Sequence, residues 1–122
     1  MGGYLTGLLV DSQVMFGTSG IRGPVGETVT GRLALDVGRA LGSMNDRIVV
    51  GRDARMSGDT LARAAIAGAQ EAGADVLDLG VESTPTVARS VGWYDADAGL
   101  MVTASHNPPA DNGFKFWTPT GK

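Results

Sequence analysis

The chain has 122 residues, 43% hydrophobic and 19% charged, with a formal net charge of −3; this describes one globular domain, able to bury roughly two-thirds of its unfolded surface. The acidic balance argues against a polyanion-binding surface, so nucleic acid is not an expected partner. There is no cysteine, which excludes disulfides and thiolate metal sites, and no run long and apolar enough to make a membrane an expected partner, so the expected compartment is the cytoplasm.

Residues 1–14 form a mildly apolar stretch without a basic start or a small-residue cleavage pattern, which does not describe a signal peptide. They are expected to be a disordered extension, with Met15 a candidate start. Phe16 begins a short extended segment, followed by a glycine-rich loop over Gly17–Gly26. Thr30 is placed to cap a helix whose Leu33, Val37 and Leu41 recur at helical spacing up to Gly42. Arg47–Gly51 reads as a buried strand.

Ser57 is the expected cap of a second helix. Asp59 lies in its first turn, where a carboxylate suits the dipole, Leu61, Ala65, Ile66 and Ala69 point inward, and Gly73 ends it. Asp75–Leu79 reads as a third strand. Thr84 before Pro85 reads as a cap and a fixed first residue, starting a helix that reaches about Gly92. Strands over Ala98–Thr103 and Gly113–Thr118 complete the pattern. The alternation predicts an α/β fold in three layers, with a mixed, mostly parallel sheet of about four strands flanked by helices.

Three segments carry chemistry. Gly17-Thr18-Ser19-Gly20-Ile21-Arg22-Gly23 suits an anion cradle, since glycines let backbone N–H groups converge and Arg22 adds a planar fork. Taken alone, a tight turn with a solvated arginine explains it better. The loop fits neither the Walker A pattern nor the dinucleotide fingerprint. Gly51-Arg52-Asp53-Ala54-Arg55-Met56-Ser57-Gly58 lies between a strand and a helix N-terminus, where anions bind readily. Its alternative is a surface Arg–Asp pair with a cap.

The third segment, Thr103-Ala104-Ser105-His106-Asn107-Pro108, puts a hydroxyl on a proline-ended turn directly after an apolar strand. A hydrolase triad is disfavoured because the single histidine is the adjacent residue and no nucleophile-elbow motif exists. A satisfied turn serine remains open. A phosphate carrier fits better, with Lys115 and the two arginine loops neutralising a charge of about −1.5 to −2.

These three segments in order, starting at Met15-Phe16 and followed by Asn112-Gly113-Phe114-Lys115, resemble the N-terminal domain of the α-D-phosphohexomutases. That group includes phosphomannomutase, phosphoglucomutase and phosphoglucosamine mutase. The resemblance covers Met15 to the end. It implies that Ser105 is a phosphoserine that exchanges its phosphoryl group with a hexose phosphate through a hexose 1,6-bisphosphate, and that its phosphate is a Mg2+ ligand. It further implies that Arg22, His106 and Lys115 lie near the reacting groups, and that Thr18, Ser19, Gly20, Arg22, Arg52, Arg55 and Asn107 contact phosphate or substrate.

Members of that group have four domains. The aspartate-rich metal loop of the second, the sugar-reading loop of the third and the phosphate clamp of the fourth have no counterpart in these residues. The expected partners are therefore hexose phosphate and the remaining domains of the same enzyme. Residues 15–122 are expected to be inactive alone, and to self-associate through surface that a second domain would cover. The alternative in a different class is a non-enzymatic phosphosugar-binding or regulatory module.

Overall fold

The computed structural model describes residues 20–117. The expected extension over residues 1–14, the segment at Phe16 and the first part of the glycine-rich loop lie outside them.

In chain order the elements are β1 (Ile21–Pro24), α1 (Gly31–Met44), β2 (Arg47–Arg52), α2 (Gly58–Glu71), β3 (Asp75–Val81), α3 (Thr84–Trp93), β4 (Ala98–Val102) and β5 (Asp111–Trp117). The strands form one sheet in the order β1-β5-β4-β2-β3. β2 runs parallel to both β3 and β4, while β5 is antiparallel to β4 and to β1. The three-layer α/β expectation holds, but the described sheet has five strands rather than four and is half antiparallel. The difference is β1, which lies inside the segment read as loop. With glycine and proline as half of its four residues it has little strand character in sequence, and an edge position is where such a strand is tolerated.

Both sheet faces are covered. Ile48 and Val50 of β2, with Ala98, Leu100 and Val102 of β4, pack with Phe114 and Phe116 against α1 and α2. Val49 and Met101 pack on the other face against Val87 and Val91 of α3. A central strand buried on both sides must be apolar at every position, and all five residues of β4 are buried. That is why β2 and β4 read as continuous apolar runs.

The helix starts follow local chemistry with two differences from expectation. Thr30 caps α1 as expected, its hydroxyl accepting from the Leu33 amide at 3.0 Å. In α3 the cap is Ser83, whose extended backbone and accepting hydroxyl (3.3 Å from the Thr86 amide) leave Thr84 as the first helical residue. Ser57 sits at the start of α2 with helical φ/ψ and makes no capping bond; the turn closed by the Gly58 amide on the Arg55 carbonyl, at 3.0 Å, already curls the chain into the helix. β3 continues to Val81 after a register shift at Val50/Gly51.

α1 and α2 approach through glycine. A Cβ on Gly38 would collide with the Ala65 carbonyl, one on Gly68 with the Leu35 carbonyl, and one on Gly42 would lie 2.5 Å from the Ala69 carbonyl oxygen. These are backbone atoms, which cannot swing aside. Gly68→Val should therefore lower unfolding free energy by about 2 kcal/mol through overpacking. Gly92→Ala, in the last turn of α3 with open space around it, should leave stability unchanged or raise it by roughly 0.5 kcal/mol. Urea titration of both variants measures the contrast.

Candidate phosphoryl-transfer site

The chain leaves β2 into α2 on one face of the sheet and enters β4 from α3 on the other. β2 and β4 are nevertheless neighbours. Being parallel, they end side by side, and from those carboxyl ends the chain runs to opposite sides, from β2 to β3 and from β4 to β5, which is where open α/β sheets form ligand crevices. The Asp53 amide donates to the Val102 carbonyl at 3.2 Å, joining the two strand ends.

Ser105 is exposed on the loop leaving β4, and its φ of +54° lies in the left-handed region, which non-glycine residues avoid unless neighbours hold them there. The hold is visible on both sides of the residue. Its amide donates to Thr103 Oγ1 at 3.0 Å, and the Thr103 hydroxyl donates to Asp53 Oδ2 at 2.6 Å. Its carbonyl accepts from Arg55 Nη2 at 2.6 Å.

Arg55 makes four further bonds. Nη2 also donates to the Asn107 carbonyl at 3.0 Å, Nη1 to the carbonyls of Pro108 at 2.7 Å and Asp111 at 3.2 Å, and Nε to Asp53 Oδ2 at 3.2 Å. A guanidinium has five N–H donors, and this one has five protein acceptors. The expectation that Arg55 contacts phosphate therefore meets a physical obstacle: it has no donor to spare, because the proline-bearing loop presents carbonyls that no strand or helix satisfies.

Arg22 reaches the same loop from β1, its Nη1 donating to Asn107 Oδ1 at 3.2 Å. Its Nε is buried and finds no hydrogen-bond partner among the described residues. Asn107 is engaged at both ends, since its Nδ2 donates to Asp111 Oδ2 at 3.1 Å. Asn107 therefore links Arg22 to the loop.

Lys115 shares a sheet face with Arg22. Arg22 stands opposite Gly113 in the β1–β5 register, and Lys115 is two residues further along β5, opposite Met101 of β4; alternate residues share a face. Both cations therefore project on the side of α3, and Lys115 Nζ lies 6.0 Å from the Trp117 ring centroid. β1 enters against β5 through Gly20, whose φ of +66° and close approach to the Phe114 carbonyl leave no room for a side chain. Gly20 is thus a backbone requirement of the site, independent of any ligand contact.

The other expected residues are dispersed. His106 is exposed beside Ser105. Arg52 turns to the first turn of α2 and pairs with Asp59 at 3.6 Å. Thr18 and Ser19 lie outside the described residues. Among the described residues no group of three or more histidine, aspartate or glutamate side chains converges as a metal site, and no helix is long and apolar enough to cross a membrane.

Sequence reasoning named Asn112 only as part of the motif ending in Lys115 and gave it no role of its own, yet it is fully buried. Its Nδ2 donates to Ser57 Oγ at 2.9 Å and its Oδ1 accepts from the Gly113 amide at 2.9 Å, so it pins the end of the serine loop to the start of α2. An amide flanked by aspartate and glycine carries a turn signal that hides such a role.

The chain matches the family model for phosphoglucomutase/phosphomannomutase, alpha/beta/alpha domain I, over residues 13–122. It is 53% identical over 108 residues to the probable phosphoglucosamine mutase of Methanopyrus kandleri, covering 87% of this chain and 24% of that protein. It is 50% identical over 115 residues to the phosphoglucosamine mutase of Leuconostoc citreum, covering 87% of this chain and 25% of that one. A crystal structure from Burkholderia thailandensis, described as a phosphoglucomutase/phosphomannomutase family protein, superposes with a TM-score of 0.68 at 38% identity, over 79% of this chain and 24% of that one. A solved chain from Thermus thermophilus superposes with a TM-score of 0.74 at 38% identity, over 87% of this chain and 26% of that one.

The fold and the site thus define an α/β/α domain of the phosphohexomutase class. The chain belongs to the phosphoglucomutase/phosphomannomutase family as its domain I, and it spans about a quarter of the length of the curated relatives it matches.

The buried Asn112 supplies a measurable check. Asn112→Ala should cost about 2 kcal/mol, because it leaves a buried amide without its acceptor. Ser57→Ala should cost about 1 kcal/mol by removing a single partner. Denaturant unfolding of both single variants and of the double variant should show non-additivity, as expected for groups in contact.

Proposed function

We propose that this chain is the phosphoserine-bearing domain of a hexose-phosphate mutase, with Ser105 as the residue that carries the phosphoryl group. The observation that carries the reading is the presentation of Ser105: an exposed hydroxyl on a left-handed residue, tied on both sides, at the joined ends of β2 and β4. Arg22 reaches the serine loop through Asn107, and Lys115 shares its sheet face on β5.

In this reaction the Ser105 Oγ–P bond breaks as a sugar hydroxyl oxygen bonds phosphorus; that hydroxyl's proton passes to a nearby base, and Ser105 Oγ takes up a proton as it leaves. The product is a hexose 1,6-bisphosphate. After it turns over in the site, the other phosphoryl group returns to Ser105 Oγ and leaves the isomeric monophosphate. Phosphoryl transfer is catalysed by positioning and by neutralising charge on the moving group. Arg22 and Lys115 are suited to neutralisation, and Lys115 and His106 to holding or moving the proton.

Mg2+ would offset charge on the phosphoryl oxygens, with the phosphate on Ser105 as this chain's ligand to it. The neighbouring carboxylates are already engaged, Asp53 with Arg55 and Thr103 and Asp111 with Asn107. The remaining ligands would then come from other domains of the same enzyme. Those domains and hexose phosphate are the proposed partners, in the cytoplasm. Self-association of the isolated chain is proposed through exposed apolar residues such as Met56, 97% exposed; a concentration-independent monomer mass in sedimentation would count against it.

Among the three sugars, glucosamine phosphate is favoured because the matched relatives include proteins named phosphoglucosamine mutase. Assay of the whole gene product with glucosamine, mannose and glucose phosphates should show the highest kcat/KM for the first. Intact-mass analysis should find a phosphate that disappears in Ser105→Ala, with turnover falling by at least about a thousand-fold. The 122-residue chain alone should show almost none of the activity of the whole enzyme. Phosphate retained in Ser105→Ala would sink the assignment.

A further inference from the structure

We propose that Arg55 is a positioning residue whose guanidinium fixes the conformation of the Ser105 turn and does not bind the transferred phosphate. The inference rests on the proposed role of Ser105. Arg55 comes from the turn after β2, yet four of its five hydrogen bonds end on carbonyls of a different segment, those of Ser105, Asn107, Pro108 and Asp111. The fifth goes to Asp53, and its side chain is only 12% exposed.

That segment contains adjacent prolines and up to Ala110 belongs to no strand or helix; turn bonds such as that from the Asp111 amide to the Pro108 carbonyl, 2.9 Å, leave its carbonyls room for donors from elsewhere. A single planar fork supplies them. With these carbonyls drawn to Arg55, Ser105, His106, Pro108 and Pro109 remain exposed to solvent. Asp53 completes the arrangement, because it accepts from both the Nε and the backbone amide of Arg55 and, through Thr103, holds the amide of Ser105. Both peptide groups flanking the serine are therefore anchored to the Asp53–Arg55 turn. A left-handed non-glycine residue persists only when its surroundings determine it this fully.

Lysine has the charge but not the geometry: three donors on one nitrogen cannot serve carbonyls spread over seven residues together with Asp53. In the whole gene product, Arg55→Lys should lower kcat about a hundred-fold, the scale of a misplacement near 1 Å, while KM for hexose phosphate stays within about three-fold. Hydrogen–deuterium exchange should be at least about ten-fold faster in the segment 103–111 and unchanged in β2 and β4, a local opening. Added guanidinium should partly restore kcat in Arg55→Ala.

Should Arg55→Lys fail to fold, Thr103→Val removes only the tie on the amide side and should give the same selective loss of protection. A rise in KM with kcat preserved, or unaltered exchange in segment 103–111, overturns the inference and returns Arg55 to a ligand-binding role. The two proposals fail separately: full activity in Ser105→Ala rejects the phosphoserine reading, while the exchange measurement still decides whether Arg55 holds the turn.

Discussion

The adjacency of β2 and β4 governs the rest of this structure. β2 sends its chain on towards β3 on one side and β4 sends its chain on to β5 on the other, so the segments beyond their carboxyl ends part while their first residues stay in contact. Two irregular segments held together without a regular ladder need side chains to satisfy their backbone groups. The Asp53–Arg55 turn does this for the serine loop, and Asn112 does it where that loop rejoins the sheet as β5. The two-sided core beneath makes the platform rigid, since β4 is buried at every residue.

The charges around the loop divide into two groups by how they are engaged. Arg55 is saturated by protein acceptors and contributes rigidity. Arg22 has one nitrogen on Asn107 and a buried Nε without a partner among the described residues, and Lys115 shares its sheet face. An unpaired buried donor is costly, so a site that retains one gains when an acceptor-rich group approaches. Arginine content alone conveys none of this division, because Arg22, Arg52 and Arg55 look alike in a sequence and differ only in which acceptors the fold brings to them.

The layered fold was legible because its causes are local and periodic. β2 and β4 announce themselves as apolar runs, α1 by its Thr30 cap and helical spacing, and the serine loop by its prolines. What escaped was decided by tertiary context. β1 has too much glycine and proline to declare itself and becomes a strand only because β5 offers it an edge. Ser57 has the composition of a cap, but the Arg55–Gly58 turn and Asn112 give it other work. For Arg55, the motif placed it correctly beside the serine loop, while its partners are backbone carbonyls, which leave no trace in residue identity. The exposed serine loop could be located from sequence, but the partners of each cation could not.

The carboxylates complete the argument about how labour is divided. Asp53 is bound by Arg55 and Thr103, and Asp111 by Asn107. A carboxylate committed to holding the Ser105 loop is poorly placed to leave it for a metal ion, because doing so would release the strained turn it supports. Under the proposed function, presentation of the serine and neutralisation of its phosphate are then assigned to different parts of the enzyme: this domain spends its acids on geometry, and the divalent cation draws its ligands from elsewhere. On that proposal, such a separation would let the serine loop keep one conformation with or without metal, so that each transfer would start from the same position.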